Sequence, residues 1–435
     1  MGIALGSLFA LVFGVMALFF WGVIGVITAR TLTVDDRGVY ASAVIVIGVV
    51  SAILSLSTAC SYLVTNKQRD AADVAWHAAL LSGAFGVVVL GGAGAVAAFL
   101  PGDLRLVAAL AALAILPSIF RSTLNGVLLG QGELQRFNIS GNASPGIGLV
   151  LVAAWVGVLH HRSLESALAA WTIAQYASLL PVLFWGRTWW RPIIRPVDRA
   201  LAYHLLTFGA VTSAAAVISF FNYRVDVLMV AGLESREGAG IYSSSVAMAE
   251  ALWLFSSSIA VASFARIGST GRDEAARLTA IGVRHTLIIV VPGALALALL
   301  APLLLGALFG EAYRAGATPL RILCIGTAAY APATLLANYL VVQLGRPAIA
   351  LWLAGVACLL SIGGGFALIP AFGTSGAAWA TTVSYCVTAA ISVGIFLGAT
   401  GTPSGHLWKV RRGDVLSYVH LARRLVRPQR PLSDP

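Results

Sequence analysis

The chain has 435 residues, of which 59% are hydrophobic and 10% charged, and its net charge is +11. Soluble globular proteins carry about 25% charged residues, so the composition excludes a cytosolic enzyme. Because the apolar runs reach the roughly 20 residues that a helix needs to cross a bilayer, we expect an all-α, polytopic membrane protein.

Twelve membrane-spanning helices, numbered as spans 1 to 12, are predicted from these runs. They cover approximately Ser7 to Thr28, Gly38 to Val64, Trp76 to Leu100, Leu104 to Gly130, Ile139 to Leu159, Leu168 to Gly186, Leu205 to Gly232, Gly240 to Phe264, Thr286 to Phe309, Pro319 to Val342, Pro347 to Ile369 and Thr374 to Gly398. No basic segment precedes the first run and no soluble domain follows it. We therefore interpret it as a retained span and not as a cleaved signal peptide.

The positions of Lys and Arg predict the orientation in the membrane. With the N-terminus inside, 19 of the 28 Lys and Arg residues fall in cytoplasmic segments and 7 in outer ones. Since short cytoplasmic connections are enriched in these residues, both termini are predicted to be cytoplasmic. The positive charge is spread over many connections and is not gathered on one surface, so we expect no nucleic-acid partner.

The sequence offers little for catalysis, metals or cofactors. The four cysteines lie in apolar spans without metal or redox spacing, and the seven histidines form no ligand cluster. No phosphate-binding loop of the form G-x-x-x-x-G-K-[ST] occurs, so ATP is not expected as the direct energy source. We therefore predict a membrane transporter and not an enzyme, with no catalytic residue, metal site or cofactor.

An internal repeat divides the chain into halves. The segment Gly38 to Val44 in span 2 is similar to Gly240 to Val246 in span 8, and Ala169 to Trp171 recurs as Ala377 to Trp379, each about 200 residues later. Because six spans separate the matches, both halves have the same orientation, which is typical of carriers built from parallel repeats. We predict a six-helix lobe at 1–186, a cytoplasmic linker at 187–204, a second six-helix lobe at 205–400 and a basic tail at 401–435.

Ionisable residues inside spans are costly in hydrocarbon and mark cavities or charged partners. Such residues in this chain are Arg121 in span 4, Arg224 and Asp226 in span 7, and Glu250 in span 8, while Arg30 marks the outer end of span 1. Arginines at several depths suit an anionic headgroup, because guanidinium groups bind phosphate oxygens in pairs. The two acidic residues are candidates for coupling transport to an ion.

Other roles are open for these side chains. Arg224 and Glu250 lie at similar depths on neighbouring spans, so they are also candidates for an ion pair with each other. Arg121 is a candidate for contact with backbone carbonyls or inner headgroups instead of a cavity. Tyr223 and Trp253 are candidates for stacking on sugars, with packing and interface anchoring as the alternative.

Several of these residues fall in segments that resemble a known family. The segments Ala29 to Leu32, Gly38 to Tyr40, Phe221 to Asp226 and Gly240 to Ser243, followed by Glu250, are similar to those of Wzx-type polysaccharide flippases of the multidrug/oligosaccharidyl-lipid/polysaccharide (MOP) exporter superfamily. The resemblance implies two six-helix lobes that form a V and give alternating access. It also implies that Arg30, Arg121 and Arg224 bind the diphosphate of the substrate.

The implied function is translocation of a polyprenyl-diphosphate-linked oligosaccharide, such as an O-antigen, capsule or exopolysaccharide unit, to the outer leaflet of the bacterial cytoplasmic membrane. Buried charges and unpaired hydroxyls are expensive in hydrocarbon, so the carrier must offer the headgroup a hydrated basic cavity. Pro117, Pro181, Pro292 and Pro332 are candidates for bending spans around such an opening. Glycosyltransferases or a polymerase of the same pathway are the expected protein partners.

Two alternative functions use different chemistry. A multidrug antiporter of the MATE type, in the same superfamily, would prefer cations and often has an acidic residue in span 1, which this chain lacks between Ser7 and Thr28. A membrane-embedded glycan polymerase or glycosyltransferase needs a substantial outer loop, whereas every predicted outer connection of this chain is short.

The tail is predicted to lie on the membrane surface. Asp414 caps a predicted helix that ends at Pro428, with an apolar face opposite Arg423, Arg424 and Arg427. A basic amphipathic helix of this kind binds the anionic lipids of the inner leaflet. Docking of a glycosyltransferase is the alternative role.

Overall fold

The computed structural model describes residues 3–99, 102–158, 163–191, 195–409 and Asp414. Within these ranges all regular secondary structure is helical. The α-helices are α1 (Ile3–Thr31), α2 (Val34–Leu54), α3 (Ser57–Thr65), α4 (Ala71–Phe99), α5 (Gly102–Gly130), α6 (Leu134–Val152), α7 (Leu164–Ala177), α8 (Leu179–Trp185), α9 (Arg199–Leu233), α10 (Arg236–Glu250), α11 (Trp253–Ser269), α12 (Arg272–Phe309), α13 (Ala317–Tyr330), α14 (Ala333–Asn338), α15 (Pro347–Thr400) and α16 (Gly405–Trp408). Two π-helical turns, Ala153–Val158 and Tyr339–Gln343, and a 3-10 segment, Glu311–Gly316, lie between them.

The helices account for all twelve predicted spans. Eleven helical stretches in the described ranges are long and apolar enough to cross a membrane. The last of them, Pro347–Thr400, holds spans 11 and 12, because Gly373, with φ 56° and ψ −137°, breaks the helix between them. The predicted all-helical, polytopic membrane fold is therefore confirmed, whereas the cytoplasmic location of both termini stays a prediction.

Some helices extend beyond the predicted spans. Helix α12 begins at Arg272, whereas the apolar run that predicts span 9 begins only at Thr286. The additional turns are polar, with Asp273 and Glu274 in the first turn, where acidic side chains favour the positive end of the helix dipole. Glu274 also pairs with Arg277, three residues later, at 2.6 Å. A hydropathy pattern detects the apolar part of such a helix and misses its polar end.

Four spans are interrupted. Span 2 divides between α2 and α3, span 6 between α7 and α8, span 8 between α10 and α11, and span 10 between α13 and α14. In span 10 the cause is Pro332, which has no N–H to donate to the carbonyl of Ala328. Helices α5 and α12 continue through Pro117 and Pro292, which are also predicted as bends. A proline alone is therefore not sufficient to interrupt a span in this chain.

The chain forms two compact units, each with its own apolar core. The N-terminal unit comprises the described residues within Val12–Val217, and the C-terminal unit comprises those within Met1–Leu11 and Ile218–Pro435. Ile119 and Leu168 are among the buried residues of the first core. Tyr242, Leu305 and Leu320, which are fully buried, belong to a core of the second.

Helices α3 and α5 of the N-terminal unit approach each other closely. Gly126 and Gly130 lie one turn apart on α5, and a Cβ atom at Gly126 would be 2.2 Å from the carbonyl oxygen of Ser57. The hydroxyls of Ser61 and Thr65 on α3 donate hydrogen bonds to the carbonyls of Gly126 (2.9 Å) and Gly130 (3.2 Å). Small residues spaced by four thus allow backbone contact, as is common between membrane helices.

The segment before α9 is fixed to the start of α4. The carboxylate of Asp198 accepts hydrogen bonds from the backbone N–H groups of Ala200 (2.9 Å) and Leu201 (3.1 Å) and so caps α9. The backbone N–H of Asp198 donates to Nε2 of His77 (2.8 Å), and its carboxylate pairs with Arg69 (3.2 Å). The N–H of Leu201 is the main cause of a lowered pKa for the Asp198 carboxyl, and Arg69 lowers it further.

The tail contacts the C-terminal unit through Asp414. Its carboxylate accepts a hydrogen bond from Nε of Arg284 on α12 at 2.7 Å, and Arg284 also donates to the carbonyl of His406 at 2.6 Å. Arg284 is 4% exposed and Asp414 8%, so the ion pair is buried. The predicted amphipathic helix after Asp414 lies outside the described residues.

Candidate functional site

Arg224 and Glu250 form an ion pair between α9 and α10. The Nη1–Oε1 distance is 3.4 Å and the Nη2–Oε2 distance is 3.2 Å, so both ends of the guanidinium face the carboxylate. The side chain of Arg224 is 50% exposed and that of Glu250 is 22% exposed. The pair lowers the cost of both charges within the spans and leaves half of the Arg224 side chain exposed.

Asp226 lies on a different face of α9 from this pair. Residues two positions apart on an α-helix are rotated by about 200° about its axis, so Asp226 points away from the side on which Arg224 lies. Asp226 is 4% exposed. Its Oδ2 accepts hydrogen bonds from the hydroxyls of Tyr242 (2.8 Å) and Thr381 (3.0 Å), and its Oδ1 accepts one from the backbone N–H of Val227 (2.7 Å). The carboxylate is therefore a buried, hydrogen-bonded junction of α9, α10 and α15.

Four aromatic rings, which we name the aromatic cluster, converge beside the ion pair. Tyr223 precedes Arg224 in α9, and its ring centroid lies 4.9 Å from that of Trp253 in α11. Trp253 lies 6.1 Å from Tyr330 in α13 and 5.8 Å from Tyr385 in α15. The rings of Tyr330 and Tyr385 stack at 5.0 Å. The cluster thus joins four spans of the C-terminal unit.

Only part of this arrangement carries a signal in the sequence. Tyr242 carries a signal, because it belongs to the repeated segment that opens span 8. Tyr330 precedes the interruption at Pro332, which is a weaker signal. Thr381 and Tyr385 lie in span 12 among many similar residues, and nothing in the sequence alone distinguishes them.

Arg121 lies on α5 in the N-terminal unit. Its Nη1 is 3.5 Å from the carbonyl oxygen of Ser140, which is a long hydrogen bond. Its buried Nε has no hydrogen-bond partner among the described residues. No described Asp or Glu forms an ion pair with it. Because a guanidinium has five N–H donors, Arg121 has donors without a partner among the described residues.

Arg30 is exposed and lies in the last turn of α1. A cation is favoured at this position by the negative end of the helix dipole. Arg30 and Arg121 belong to the N-terminal unit, whereas Arg224, Asp226 and Glu250 belong to the C-terminal unit. The structure therefore brings together the candidate residues of spans 7 and 8, and it places the other two arginines on separate helices of the first unit.

The described residues offer no metal site, since no group of three or more His, Cys, Asp or Glu side chains in these ranges is arranged to hold a metal ion. Cys60 and Cys324 are buried among apolar residues. The chemistry that these candidate residues provide is charge, hydrogen bonding and aromatic surface.

Comparisons with known proteins add the family and the fold. A family model described as polysaccharide biosynthesis protein matches residues 27–317. No curated protein matches this chain. Among solved structures, an outward-facing multidrug resistance MATE family transporter of the MOP superfamily is similar with a TM-score of 0.77 and 14% identity, over 92% of this chain and 95% of that chain.

Two further structures show the same likeness. A MOP superfamily transporter from Pyrococcus furiosus, described as having a binding pocket of reverse polarity, matches with a TM-score of 0.77 and 13% identity over 92% of this chain and 95% of that chain. A MATE protein in complex with MaD3S matches with a TM-score of 0.79 and 14% identity over the same shares. At these identities the likeness shows the fold, which is that of the MATE transporters.

Proposed function

The chain belongs to the polysaccharide biosynthesis protein family and has the fold of MOP-superfamily transporters, and on this premise we propose that it is a flippase for polyprenyl-diphosphate-linked oligosaccharide. It moves the glycan headgroup from the inner to the outer leaflet of the bacterial cytoplasmic membrane by alternating access, while the polyprenyl tail stays in lipid. Residues 27–317, which match the family, include all three arginines assigned to the diphosphate.

The observation that supports this substrate is the set of arginines in or beside the spans. Arg121 has no carboxylate partner among the described residues, and Arg224 is 50% exposed although it pairs with Glu250. Arginine within a membrane is expensive unless it faces a partner or a hydrated cavity. Guanidinium matches the oxygens of a diphosphate in geometry and charge, so Arg30, Arg121 and Arg224 are the proposed ligands.

The membrane potential gives the proposed transport its direction. An inside-negative potential assists outward movement of an anion by about 2.3 kcal/mol per charge per 100 mV. Two uncompensated charges of a diphosphate would gain about twice that amount, so net export needs neither ATP nor a coupled ion. Asp226 and Glu250 stay candidates for an ion-coupled return step.

A cation-coupled multidrug antiporter is the second candidate, and the MATE fold favours it. Span 1 contains no acidic residue, however, and the two acids within spans 7 and 8 already have partners. Asp226 accepts hydrogen bonds from Tyr242 and Thr381, and Glu250 pairs with Arg224. A cationic drug would have to displace one of these contacts, whereas an anion meets Arg121 without such competition.

A glycan polymerase or glycosyltransferase fits less well, because the chain has a transporter fold. Enzymes of this kind are instead the proposed protein partners, since they build and consume the transported glycan. The anionic lipids of the inner leaflet are the proposed partners of the basic tail.

Charge reversal tests the proposal in cells whose surface glycan depends on this carrier. Arg121→Glu and Arg224→Glu carriers should reach the membrane in normal amounts but fail to deliver glycan. Lipid-linked glycan should then accumulate on the cytoplasmic leaflet. Arg266→Glu, at an exposed position near the end of α11, is the matched control and should export normally.

Normal glycan delivery by both reversed carriers would show that the diphosphate assignment is wrong. If cells that lack this carrier became sensitive to cationic drugs while their surface glycan stayed unchanged, the antiporter would be favoured.

A further inference from the structure

We propose that the aromatic cluster of Tyr223, Trp253, Tyr330 and Tyr385 is a carbohydrate subsite that takes the sugar ring next to the diphosphate. This inference rests on the proposed function and assigns recognition of the first sugar to the C-terminal unit. The chemical class of the ligand is a pyranose, whose C–H faces pack on aromatic rings and whose hydroxyls need hydrogen-bond partners.

The rings form a surface of the required kind. Tyr385 is 5% exposed and lies at the buried base of the cluster. Tyr223, Trp253 and Tyr330 are each half-buried, and their centroids lie within 6.1 Å of a neighbouring ring of the cluster. The Tyr223 and Trp253 rings are inclined by 52° to each other, so they present faces in different directions.

Two helix interruptions meet at this cluster. Trp253 begins α11 directly after the break in span 8, where the N–H of Leu252 bonds to the carbonyl of Ala249, three residues back, at 3.2 Å. Tyr330 ends α13 directly before the break at Pro332. Both interruptions are single tight turns that keep right-handed helical dihedral angles, with φ −64° and ψ −24° at Leu252 and φ −65° and ψ −24° at Pro332. Local 3-10 tightening within a helix often marks a functional hinge or strain.

Polar groups suited to sugar hydroxyls lie at the same place. Nε1 of Trp253 is buried and has no hydrogen-bond partner within the described ranges. Buried indole N–H groups normally find an acceptor, and a sugar oxygen supplies one. The neighbouring Glu250 carboxylate accepts hydrogen bonds and the Arg224 guanidinium donates them. A hydroxyl, which does both, is satisfied by this combination.

Packing alone explains less of this arrangement. It accounts for the stacked rings of Tyr330 and Tyr385, which fill space between two helices. It does not by itself require a half-exposed ion pair beside the rings, or a tight turn in each of two spans that meet there. A sugar that stacks on Trp253 while its phosphate contacts Arg224 uses all of these features together.

The test compares polyprenyl diphosphate with and without a sugar. The full-length protein is placed in nanodiscs of phosphatidylethanolamine and phosphatidylglycerol, and binding of radiolabelled probes is measured. The probes are bare polyprenyl diphosphate and the same lipid carrying one glucose, galactose or N-acetylglucosamine. We expect at least one sugar-bearing probe to bind about tenfold more tightly than the bare lipid.

Variants then locate the sugar contact. Trp253→Ala should bring the affinity for the sugar-bearing probe down to that of bare lipid and leave bare-lipid binding unchanged, and Trp253→Phe should keep most of the preference. Trp352→Ala is the matched control, since Trp352 is 55% exposed in span 11, and it should change neither affinity. If Trp253→Ala does not fold, Tyr223→Leu makes the same test at the cluster.

The outcomes separate this inference from the proposed function. Equal binding of bare and sugar-bearing probes to the native protein would overturn the subsite and leave the flippase proposal standing. Equal weakening of all probes by Trp253→Ala would show that the cluster is structural packing, which also overturns the subsite. Failure of the native protein to bind any probe, bare lipid included, would overturn the proposed function itself.

Discussion

Glu250 faces both ends of the Arg224 guanidinium, at 3.4 Å and 3.2 Å, although Arg224 lies in a membrane span and is half exposed. The carboxylate holds the guanidinium in one orientation without using all of its N–H donors. A phosphate that approached Arg224 would therefore meet an oriented cation and would compete with Glu250 for it.

Neutralising Glu250 should strengthen anion binding. Glu250→Gln removes the competing charge, so we expect bare polyprenyl diphosphate to bind about 2- to 10-fold more tightly in nanodiscs and to leave more slowly. Arg224→Gln should weaken binding by about tenfold or more. Glu237→Gln, an exposed acid in the first turn of α10, is the control and should have no effect. Unchanged affinity in Glu250→Gln would contradict this role for the pair.

Removing the carboxylate of Asp226 should destabilise the C-terminal unit. Asp226→Ala leaves the hydroxyls of Tyr242, 0% exposed, and Thr381, 3% exposed, without their acceptor, at a cost of about 2–5 kcal/mol. Thr381→Val removes one donor of three and should cost about 1–2 kcal/mol. Thermal unfolding in detergent measures both changes.

Thr270→Val is the control for these variants, because the partly exposed Thr270 hydroxyl donates a hydrogen bond to the carbonyl of Arg266, four residues earlier, at 2.9 Å. It should change stability by less than about 0.5 kcal/mol. An Asp226→Ala protein as stable as the native one would show that the hydrogen bonds at this junction carry no net stability.

The turn between spans 11 and 12 requires glycine. Gly373 has φ 56°, and a Cβ atom there would lie 3.0 Å from the carboxyl carbon of Glu234. Gly373→Ala should therefore lower stability by about 1–2 kcal/mol. Gly363→Ala is the matched control, since its Cβ would meet nothing within 4 Å, and it should be neutral or slightly stabilising. Comparable melting temperatures for the two variants would refute the strain at Gly373.

Acid should loosen the start of α9 through Asp198. The N–H of Leu201, aided by Arg69, holds the pKa of this carboxyl below its ordinary value. A group with a lowered pKa in the folded state stabilises the fold above its unfolded pKa, about 3.9, and loses this effect as pH falls through the folded value. Asp198→Ala should be less stable than the native protein at pH 7 and should lose less stability on acidification.

Melting curves between pH 3 and pH 7 measure this difference. Asp198→Asn keeps a capping oxygen but not the charge, so it should lie between the native protein and Asp198→Ala at pH 7. Parallel pH profiles for all three proteins would contradict the role of this carboxyl.

The charged residues of the candidate site can be predicted from the sequence, but their partners cannot. The free-energy cost of a charge in hydrocarbon is enough to identify candidate residues from the sequence alone, namely Arg121, Arg224, Asp226 and Glu250. The same cost does not tell which charge pairs with which, because that depends on helix rotation. The structure pairs Arg224 with Glu250 and directs Asp226 to Thr381, 155 residues away.

The sequence by itself determined the membrane fold of this protein, since crossing a bilayer imposes a length and an apolar composition that each span must satisfy locally. It also indicated the family, because the residues that resemble the family lie in short continuous segments around Arg30 and Arg224. Only the tertiary structure decided the aromatic cluster, whose members Trp253 and Tyr385 come from spans far apart in sequence. Contacts between spans depend on how the helices rotate and pack, and that choice is made by the whole core of a unit and not by any one segment.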